Sequence, residues 1–414
     1  MDKRIYLCLA HMSGNEQKYI QEAFDTNWVV PLGPNVNGFE DDLKQFVGED
    51  KQIVALSAGT AAIHLALIAC GVQAGDEVIC QSFTFCASSN PVTYLGATPV
   101  FVDSESESWN MNPDLLEKAI IDRKAKTGKY PKAIIPVALY GMPYRIEDIL
   151  AIANKYNIPI IEDAAEGMGS RWGGRVLGTF GEFGVLSFNG NKMITTSGGG
   201  ALICKNAEAK QKIMWYATQA REAYPYYQHE AIGYNYRLSN ICAGIGRGQM
   251  TILNDHIAHH KHIAQLYREA FSTIDGILFH DAPSPKHDSN FWLNTITLDE
   301  TLHIKGEEKA YAEAIQGAVG GAAGVVHGGG SVHTDCEPNR NVEAMRLYLD
   351  AAGIESRPLW KPMHKQPVYA KAPAYVDGTA EAIFHKGLCL PSGPMVTDED
   401  VAYIIANIKA AIIK

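Results

Sequence analysis

The sequence predicts an α/β fold, in which a large domain with a mostly parallel central sheet is followed by a smaller α+β domain. Helical patterns and short apolar runs alternate from Ser13 to about Phe183, as in consecutive strand–helix units. Two of these runs are rich in β-branched residues, which is typical of strands buried on both faces. The alternation ends near Gly248. We therefore place the large domain at residues 1–247 and the small one at 248–414.

The individual elements begin and end at recognisable residues. Ser13 and Glu16 have the spacing of a capping box, which predicts a helix from there to about Asp25. Gly71 stops a helix, and Pro113 starts another. The other predicted elements are strands at 52–56, 77–80, 98–102, 133–137 and 158–162 and helices at 61–71 and 146–156.

The second half of the chain is less regular. A long polar helix is predicted at 250–271, and the strands and helices after it do not alternate. Residues 317–330 are so rich in glycine that the backbone entropy cost opposes any stable element. A mobile surface loop is predicted there.

Composition and charge exclude several classes of function. The chain has 36 basic and 46 acidic residues and a formal net charge of −10, which disfavours a nucleic-acid partner. No stretch approaches the roughly 20 apolar residues of a membrane-spanning helix, and the apolar run before His11 is too short for a secretory signal. The 8 cysteines include no Cys-x-x-Cys pair and are predicted to be reduced thiols. The expected location is the cytoplasm.

One acidic residue follows a predicted strand where ligands bind in open parallel sheets. Asp163 comes directly after the run at 158–162, and the carboxyl ends of such strands form the ligand-binding edge. A helix cap or a structural ion pair would also explain this residue. The alternative is a carboxylate that keeps a heteroaromatic ring nitrogen protonated.

A lysine follows in a polar loop after a further apolar run. A lone lysine is ordinarily a solvated surface charge. Lys192, however, is preceded by Ser187 and Asn189 and followed by the run Thr195-Thr-Ser-Gly-Gly-Gly200. These neighbours and the upstream Asp163 favour a functional lysine.

A phosphate-binding turn is predicted at Ser57-Ala-Gly-Thr60. It joins a strand to a helix, so its backbone N–H groups lie at a helix N-terminus with no bulky side chain in the way. The alternative is a plain turn capped by Thr60. Phe85 follows the next strand and could cover the flat face of a ring, although such aromatic residues more often belong to the core.

Together these features match what pyridoxal phosphate requires from a protein. The lysine forms an imine with the aldehyde, and the acid keeps the ring nitrogen cationic so that the ring accepts electrons. The turn and the aromatic residue supply a phosphate site and a cover for the ring. Each feature is weak alone, but their conjunction predicts pyridoxal 5'-phosphate as the cofactor.

Longer motifs support this interpretation. The sequence resembles the DegT-type nucleotide-sugar aminotransferases over almost its whole length, in motifs that occur in the same order. These motifs are Glu162-Asp-Ala-Ala-Glu-Gly-Met-Gly-Ser170, Gly178-Thr-Phe-Gly-Glu-Phe-Gly184, Ser187-Phe-Asn-Gly-Asn-Lys192 with its glycine run, and Gly233-Tyr-Asn-Tyr-Arg-Leu-Ser239. The resemblance implies the aspartate-aminotransferase-like fold of the fold type I pyridoxal phosphate enzymes and a homodimer with shared active sites.

Within that family the sequence is most similar to the enzymes that aminate carbon 4 of UDP-4-keto-6-deoxy-N-acetylglucosamine, in UDP-N-acetylbacillosamine and polysaccharide biosynthesis. The likeness implies L-glutamate as the amino donor. It rests on Glu166, where many relatives carry glutamine, and on Ser82-Phe-Thr-Phe85, Thr218-Gln-Ala-Arg-Glu222 and Arg357-Pro-Leu-Trp-Lys-Pro-Met-His364.

The resemblance also implies a role for each candidate residue around the cofactor ring. Lys192 carries the imine, Asp163 faces the pyridine nitrogen, Glu166 lies near the phenolic oxygen, and Phe85 stacks on the ring.

Other residues are implied to hold the phosphate and the substrate. Those for the phosphate are Gly59, Thr60 and Ser187, with Asn235 reaching in from a second subunit. The candidates for the substrate are Arg237 and His364, which would bind its diphosphate, and Asn189. Because the segment at 317–330 is longer and richer in glycine than its counterpart in the family, no contact is carried over for residues 300–340.

No metal site is predicted. His256 and His260 lie one helical turn apart, a spacing that can hold zinc, but no cysteine or glutamate completes the ligand set. We expect them on the solvated face of the long helix. His327, His333 and Cys336 lie in or beside the glycine-rich segment, where nothing fixes their geometry.

Several alternative functions remain open. One is an aminotransferase for another keto nucleotide sugar, 3-keto or dTDP-linked. A pyridoxal phosphate-dependent sugar dehydratase is less favoured, because relatives of that kind carry histidine in place of the imine lysine, here Lys192. A non-catalytic regulator would be expected to carry a DNA-binding segment, for which the helix from Ser13 leaves no room. The run Gly173-Gly-Arg-Val-Leu-Gly178 lacks the flanking strand and helix of a dinucleotide site.

Overall fold

The computed structural model describes residues 4–310 and 336–413, so the segment predicted as a loop at 317–330 lies outside the described residues. The helices in chain order are α1 Glu16–Asp25, α2 Pro34–Val47, α3 Gly59–Ala69, α4 Asn90–Tyr94, α5 Pro113–Thr127, α6 Ile146–Tyr156, α7 Ala207–Ala217, α8 Asn240–Met250, α9 Leu253–Phe271, α10 Arg340–Ala351, α11 Thr379–Lys386 and α12 Asp398–Ala411.

The strands are short. They are β1 Gln52–Leu56, β2 Glu77–Gln81, β3 Thr98–Val102, β4 Ile134–Ile135, β5 Ile161–Asp163, β6 Arg171–Trp172, β7 Arg175–Val176, β8 Phe183–Ser187, β9 Gly200–Cys204, β10 Ile277–Phe279, β11 His287–Asp288, β12 Asn294–Leu298, β13 Arg357–Pro358, β14 Ala374–Tyr375 and β15 Gly387–Leu390.

The central sheet has the strand order β1-β9-β8-β5-β4-β2-β3-β14. Its two halves, β1-β9-β8-β5 and β14-β3-β2-β4, are joined by parallel bridges from Ile134 to Ile160 and from Val137 to Asp163. Strand β9 is antiparallel to both of its neighbours, while the other pairings are parallel. The predicted mostly parallel sheet of an α/β fold is confirmed.

Helix α3 lies against this sheet and is apolar on all sides, which is the pattern of a buried helix. Ile63, Leu65 and Leu67 are fully or almost fully buried, and the helix contacts β8 and β9. Burial of one such side chain contributes roughly 1.5–3 kcal/mol. The N-terminus of α3 is thereby held at the carboxyl ends of β1 and β8.

A second, antiparallel sheet follows in the order β10-β12-β15-β13. Its apolar face packs with α9, α10 and α12, and Ile5 near the N-terminus joins the same core and bridges to Ile354. The chain then returns to the central sheet: Met363 N donates a hydrogen bond to Ser82 O over 2.7 Å, and β14 pairs with β3. The domain division at residues 247 and 248 stays a prediction.

Several element boundaries differ from the sequence prediction. The strands at 52–56 and 98–102 and the helix at 146–156 are confirmed, but of the strand predicted at 133–137 only Ile134–Ile135 forms a strand, and Val137 adds an isolated bridge. The helix predicted at 250–271 begins at Leu253 and follows a separate helix, α8. The capping box is half formed, because Glu16 accepts hydrogen bonds from the N–H groups of Ser13 and Gly14 while the Ser13 hydroxyl accepts from Asn15.

Within the described residues, no helix combines the length and the apolar character needed to cross a bilayer.

Candidate active site

A cavity of about 290 Å³ lies where the carboxyl ends of β1, β5 and β8 meet the N-terminus of α3. It brings together eight of the candidate residues from widely separated parts of the chain. These residues are Gly59, Thr60, Phe85, Asp163, Glu166, Ser187, Asn189 and Lys192.

The first turn of α3 offers unpaired backbone donors to this cavity. Ala58 precedes the helix in an extended conformation without a side-chain cap, and the first N–H groups of any helix lack partners inside it. The hydroxyl groups of Thr60 and Ser187 have no hydrogen-bond partner within residues 4–310 and 336–413. A Cβ atom at Gly200 would lie 2.4 Å from Gly59 N, so the strand can approach the turn only with glycine there. This arrangement fits an anion.

Asp163 is buried at the end of β5. Its carboxylate accepts hydrogen bonds from Ser88 Oγ over 2.6 Å and from Ala165 N over 3.1 Å. Because the Ser88 hydroxyl donates to Asp163, it accepts from Thr84, whose Oγ1 atom lies 2.9 Å away. Burial raises the pKa of Asp163, whereas both hydrogen bonds and the Lys192 charge lower it. A cation placed opposite would stabilise the charged form further.

Lys192 lies between a carboxylate and an aromatic ring. Its Nζ atom is 3.4 Å from Glu166 Oε1 and 3.8 Å from the centroid of the Trp292 ring. Glu166 also accepts a hydrogen bond from Tyr140 N over 2.7 Å. Burial raises the pKa of Glu166, while the Lys192 charge and the Tyr140 N–H group lower it. A largely buried primary amine beside a carboxylate can act as a nucleophile and as a base.

Two aromatic side chains form the outer wall of the cavity. Phe85 is 53% exposed, and its ring centroid lies 5.8 Å from that of Trp360. The Trp360 backbone N–H donates to the Tyr140 hydroxyl over 2.8 Å. The exposed Phe85 ring is available to cover a flat ligand.

Comparison with known proteins decides the family. The model of the DegT/DnrJ/EryC1/StrS aminotransferase family matches residues 10–323 and 329–409. The chain belongs to this family. EpsN of Bacillus subtilis (strain 168), whose name proposes a pyridoxal phosphate-dependent aminotransferase, is 42% identical over 412 residues, covering 98% of this chain and 95% of EpsN. The GDP-perosamine synthase of Escherichia coli O157:H7 is 32% identical, covering 96% and 95%.

A solved structure gives the same result for the fold. A DegT DnrJ EryC1 StrS aminotransferase from Brucella abortus superposes with a TM-score of 0.82 at 27% identity, covering 96% of this chain and 95% of that one. This DegT-family protein is therefore a sugar-nucleotide aminotransferase of fold type I that uses pyridoxal phosphate.

The cavity fits that cofactor on chemical grounds. The open N-terminus of α3, with the close approach of Gly200, suits a phosphate group. Lys192 offers an amine to the aldehyde, and the buried Asp163 carboxylate offers a negative charge to a ring nitrogen.

The structure does not bring the two predicted diphosphate ligands of this DegT-family chain into the cavity. The side chain of Arg237 is 8% exposed and pairs with Glu40 over 2.6 Å. The side chain of His364 is 7% exposed, and its two ring nitrogens contact Ser82 Oγ at 2.6 Å and Glu381 Oε1 at 3.0 Å. Their diphosphate role stays a prediction, and these contacts disfavour it because both ring nitrogens of His364 and Nη1 of Arg237 already have partners.

Asn235 also lies outside the cavity of its own chain. It is exposed, and its backbone forms a bridge with Thr218. Its expected contribution to a second subunit stays a prediction.

A cation that the sequence analysis missed lies beside the cavity. A second cavity of about 340 Å³ shares Thr84, Phe85 and Trp360 with the first and is also lined by Lys361 and Gln366. Lys361 follows Trp360 in the motif that ends at His364, so the sequence did contain a signal. Trp292 and Ser88 were missed as well, and no local pattern marks either of them.

The predicted solvated position of His256 and His260 is wrong. Both are buried, with 4% and 0% of their surface exposed, because α9 packs this face inward. No group of three metal-ligating side chains occurs in the part of the chain that the structure describes. The absence of a metal stays a prediction.

Proposed function

We propose that the protein transfers the amino group of L-glutamate to carbon 4 of UDP-4-keto-6-deoxy-N-acetylglucosamine. The observation that carries the aminotransferase chemistry is the position of Lys192, whose amine faces Glu166 in the same cavity as Asp163 and the N-terminus of α3. The motif likeness around Glu166 and Trp360 supports the choice of sugar.

Different residues of the cavity would bind the cofactor and transfer protons. When bound, pyridoxal phosphate supplies an aldehyde that captures amines and a ring that accepts electrons. The N–H groups at Gly59 and Thr60 and the Ser187 hydroxyl would bind its phosphate, and Asp163 would hold a proton on its ring nitrogen. Lys192 would take a proton from the amino donor and return one on the sugar side, because one amine must serve both half-reactions.

We propose Lys361 as a cation for the diphosphate of the sugar nucleotide, in preference to Arg237 and His364. The second cavity adjoins the first through Phe85 and Trp360. No carboxylate of the described residues pairs with the Lys361 ammonium group, which leaves it available to a phosphate.

We further propose a cytoplasmic homodimer with shared active sites. The exposed Asn235 lies in the Gly233–Ser239 motif, and nearby exposed aromatic side chains support an interface there. They include Tyr226 and Tyr227, which are more than half exposed.

Other keto nucleotide sugars are the second candidate. The name of the Escherichia coli relative favours a GDP-linked sugar, and 3-keto or dTDP-linked sugars remain alternatives. A sugar dehydratase is disfavoured by the presence of the Lys192 amine beside Glu166.

The test is a substrate panel. Protein carrying its cofactor is incubated with L-glutamate alone, which should bleach the absorption of the bound cofactor. Addition of UDP-4-keto-6-deoxy-N-acetylglucosamine should restore the absorption and yield a 4-amino sugar, identified by mass spectrometry and NMR. Faster recovery with a 3-keto, dTDP-linked or GDP-linked sugar would refute the proposed substrate, and the absence of bleaching by any amino acid would refute the aminotransferase.

A further inference from the structure

We propose that His256 and His260 are positioning residues for Lys192. His256 holds the backbone next to Lys192, and His260 holds the backbone next to Trp292, whose ring packs on the Lys192 ammonium group. Both lie one turn apart on α9, and both are buried. Neither lines the cavity. The inference rests on the proposed function, because it concerns the amine that would carry out proton transfer.

His256 holds the backbone directly after Lys192. Its Nδ1 atom lies 3.0 Å from the carbonyl oxygen of Met193. A carbonyl only accepts hydrogen bonds, so Nδ1 carries the hydrogen and Nε2 of the neutral ring is an acceptor. His11 Nδ1 lies 3.1 Å from that Nε2 atom and is therefore the donor. The tautomers of His11 and His256 are therefore both defined.

His260 holds the backbone directly before Trp292. Its Nδ1 atom lies 3.2 Å from the carbonyl oxygen of Phe291. Phe291 has a φ of 51°, a left-handed conformation that is unfavourable for a bulky side chain and persists only when its surroundings enforce it. Next to Phe291, the backbone N–H group of Trp292 donates a hydrogen bond to Asn290 Oδ1 over 2.8 Å. These contacts direct the Trp292 ring towards the Lys192 ammonium.

The two segments are also joined to each other. Trp292 Nε1 donates to the carbonyl oxygen of Asn191 over 2.7 Å. The residues on both sides of Lys192 are therefore held by their carbonyl groups, Asn191 by Trp292 and Met193 by His256. Small displacements of a reacting group lower the reaction rate steeply. Restraint of the backbone on both sides of Lys192 should therefore raise the rate of catalysis.

Burial keeps both rings neutral, and a neutral ring preserves the acceptor at Nε2 of His256 that the His11 N–H group needs. Burial lowers the pKa of His256, the nearby His11 and His259 rings lower it further, and the Met193 carbonyl and Asp255 only partly oppose this shift. Burial also lowers the pKa of His260 to about 3.

The test compares three variants of the cofactor-loaded protein in the reaction with the amino donor. His256→Phe removes the donor at similar volume, His256→Asn places an amide N–H near the position of Nδ1, and His262→Phe changes a half-exposed residue of the same helix that contacts Asp398. We expect His256→Phe to lower the rate of cofactor bleaching about tenfold, the scale of one hydrogen bond, and to shift the pH at which the absorption of the bound cofactor changes. His256→Asn should recover most of both properties, and His262→Phe should match the wild type.

Wild-type rates in His256→Phe, or equal losses in the Phe and Asn variants, would overturn the inference. If His256→Phe does not fold, ¹⁵N NMR of histidine-labelled wild-type protein decides: hydrogen at Nδ1 of His256 and His260 supports it, and hydrogen at Nε2 overturns it. These measurements need no sugar, so failure of the proposed substrate leaves them readable.

Discussion

Replacing Gly200 with alanine tests whether the N-terminus of α3 binds the cofactor phosphate. Gly200 begins β9 and pairs with Leu56 on one side and Ser187 on the other. An added Cβ would lie 2.4 Å from Gly59 N and 2.5 Å from the Ala58 carbonyl carbon. Because non-bonded contacts of this kind need about 3.5 Å, the Gly59 N–H group must move by about 1 Å.

The expected magnitude follows from that displacement. Overpacking of a buried site costs roughly 1–3 kcal/mol. If the whole cost appears in cofactor binding, the dissociation constant of pyridoxal phosphate rises roughly 5- to 150-fold. If part of this energetic cost lowers the free energy of unfolding instead, denaturant titration of the apoprotein measures that part.

The assay is a titration of apoprotein with pyridoxal phosphate, followed by absorption. Gly198→Ala is the matched control, since Gly198 lines the same cavity and an added Cβ there would meet nothing within 4 Å. The control should bind within about twofold of the wild type, since it meets no steric cost. Wild-type affinity in a folded Gly200→Ala variant would refute the assignment of the phosphate to this turn.

Four further predictions concern the reacting groups. Borohydride reduction of the purified protein and peptide mapping should place the pyridoxyl mass on Lys192, and its recovery on another lysine would contradict the assignment. Asp163→Asn should lower turnover by at least about two orders of magnitude, because a buried charged partner is lost; unchanged kinetics would exclude that role. Ser88→Ala removes the 2.6 Å hydrogen bond that lowers the pKa of Asp163, so that pKa should rise and the acid limb of the pH–rate profile should move to higher pH. Mixing Lys192→Ala with Asn235→Ala under subunit exchange should give more activity than the two separate proteins, since one mixed site regains both residues; no gain despite proven exchange would argue against shared sites.

The elements that the sequence predicts well are those whose signal is local. Helix α6 has the predicted bounds because its apolar residues recur at helical spacing, and β3 is apolar after its first residue. The reversal of β9 was not predicted. The connection between β8 and β9 contains no helix, whereas parallel neighbours are usually joined through one.

The candidate site residues likewise divide into those with a local sequence signal and those without one. Asp163, Lys192 and Gly59 could be predicted because strand ends and turns mark them in the sequence. Arg237 pairs with Glu40, which lies far away in the sequence, and His256 is buried against the backbone of the lysine loop. Local patterns do not indicate such long-range contacts, so the sequence analysis placed His256 on a solvated face and did not predict the Arg237–Glu40 pair.

The cavity is lined by segments of the chain that leave the ribosome at very different times. Trp292 packs on Lys192 and Trp360 lines the same cavity. Trp360 is synthesised roughly 170 residues after Lys192, which takes roughly 8–34 s at 5–20 residues per second. Nascent chains stalled before Trp292 are expected to retain no pyridoxal phosphate after gel filtration, whereas chains extended past Trp360 should retain it. On this expectation, cofactor binding is a late event in the maturation of each chain, and residues 1–247 fold before the cofactor is bound.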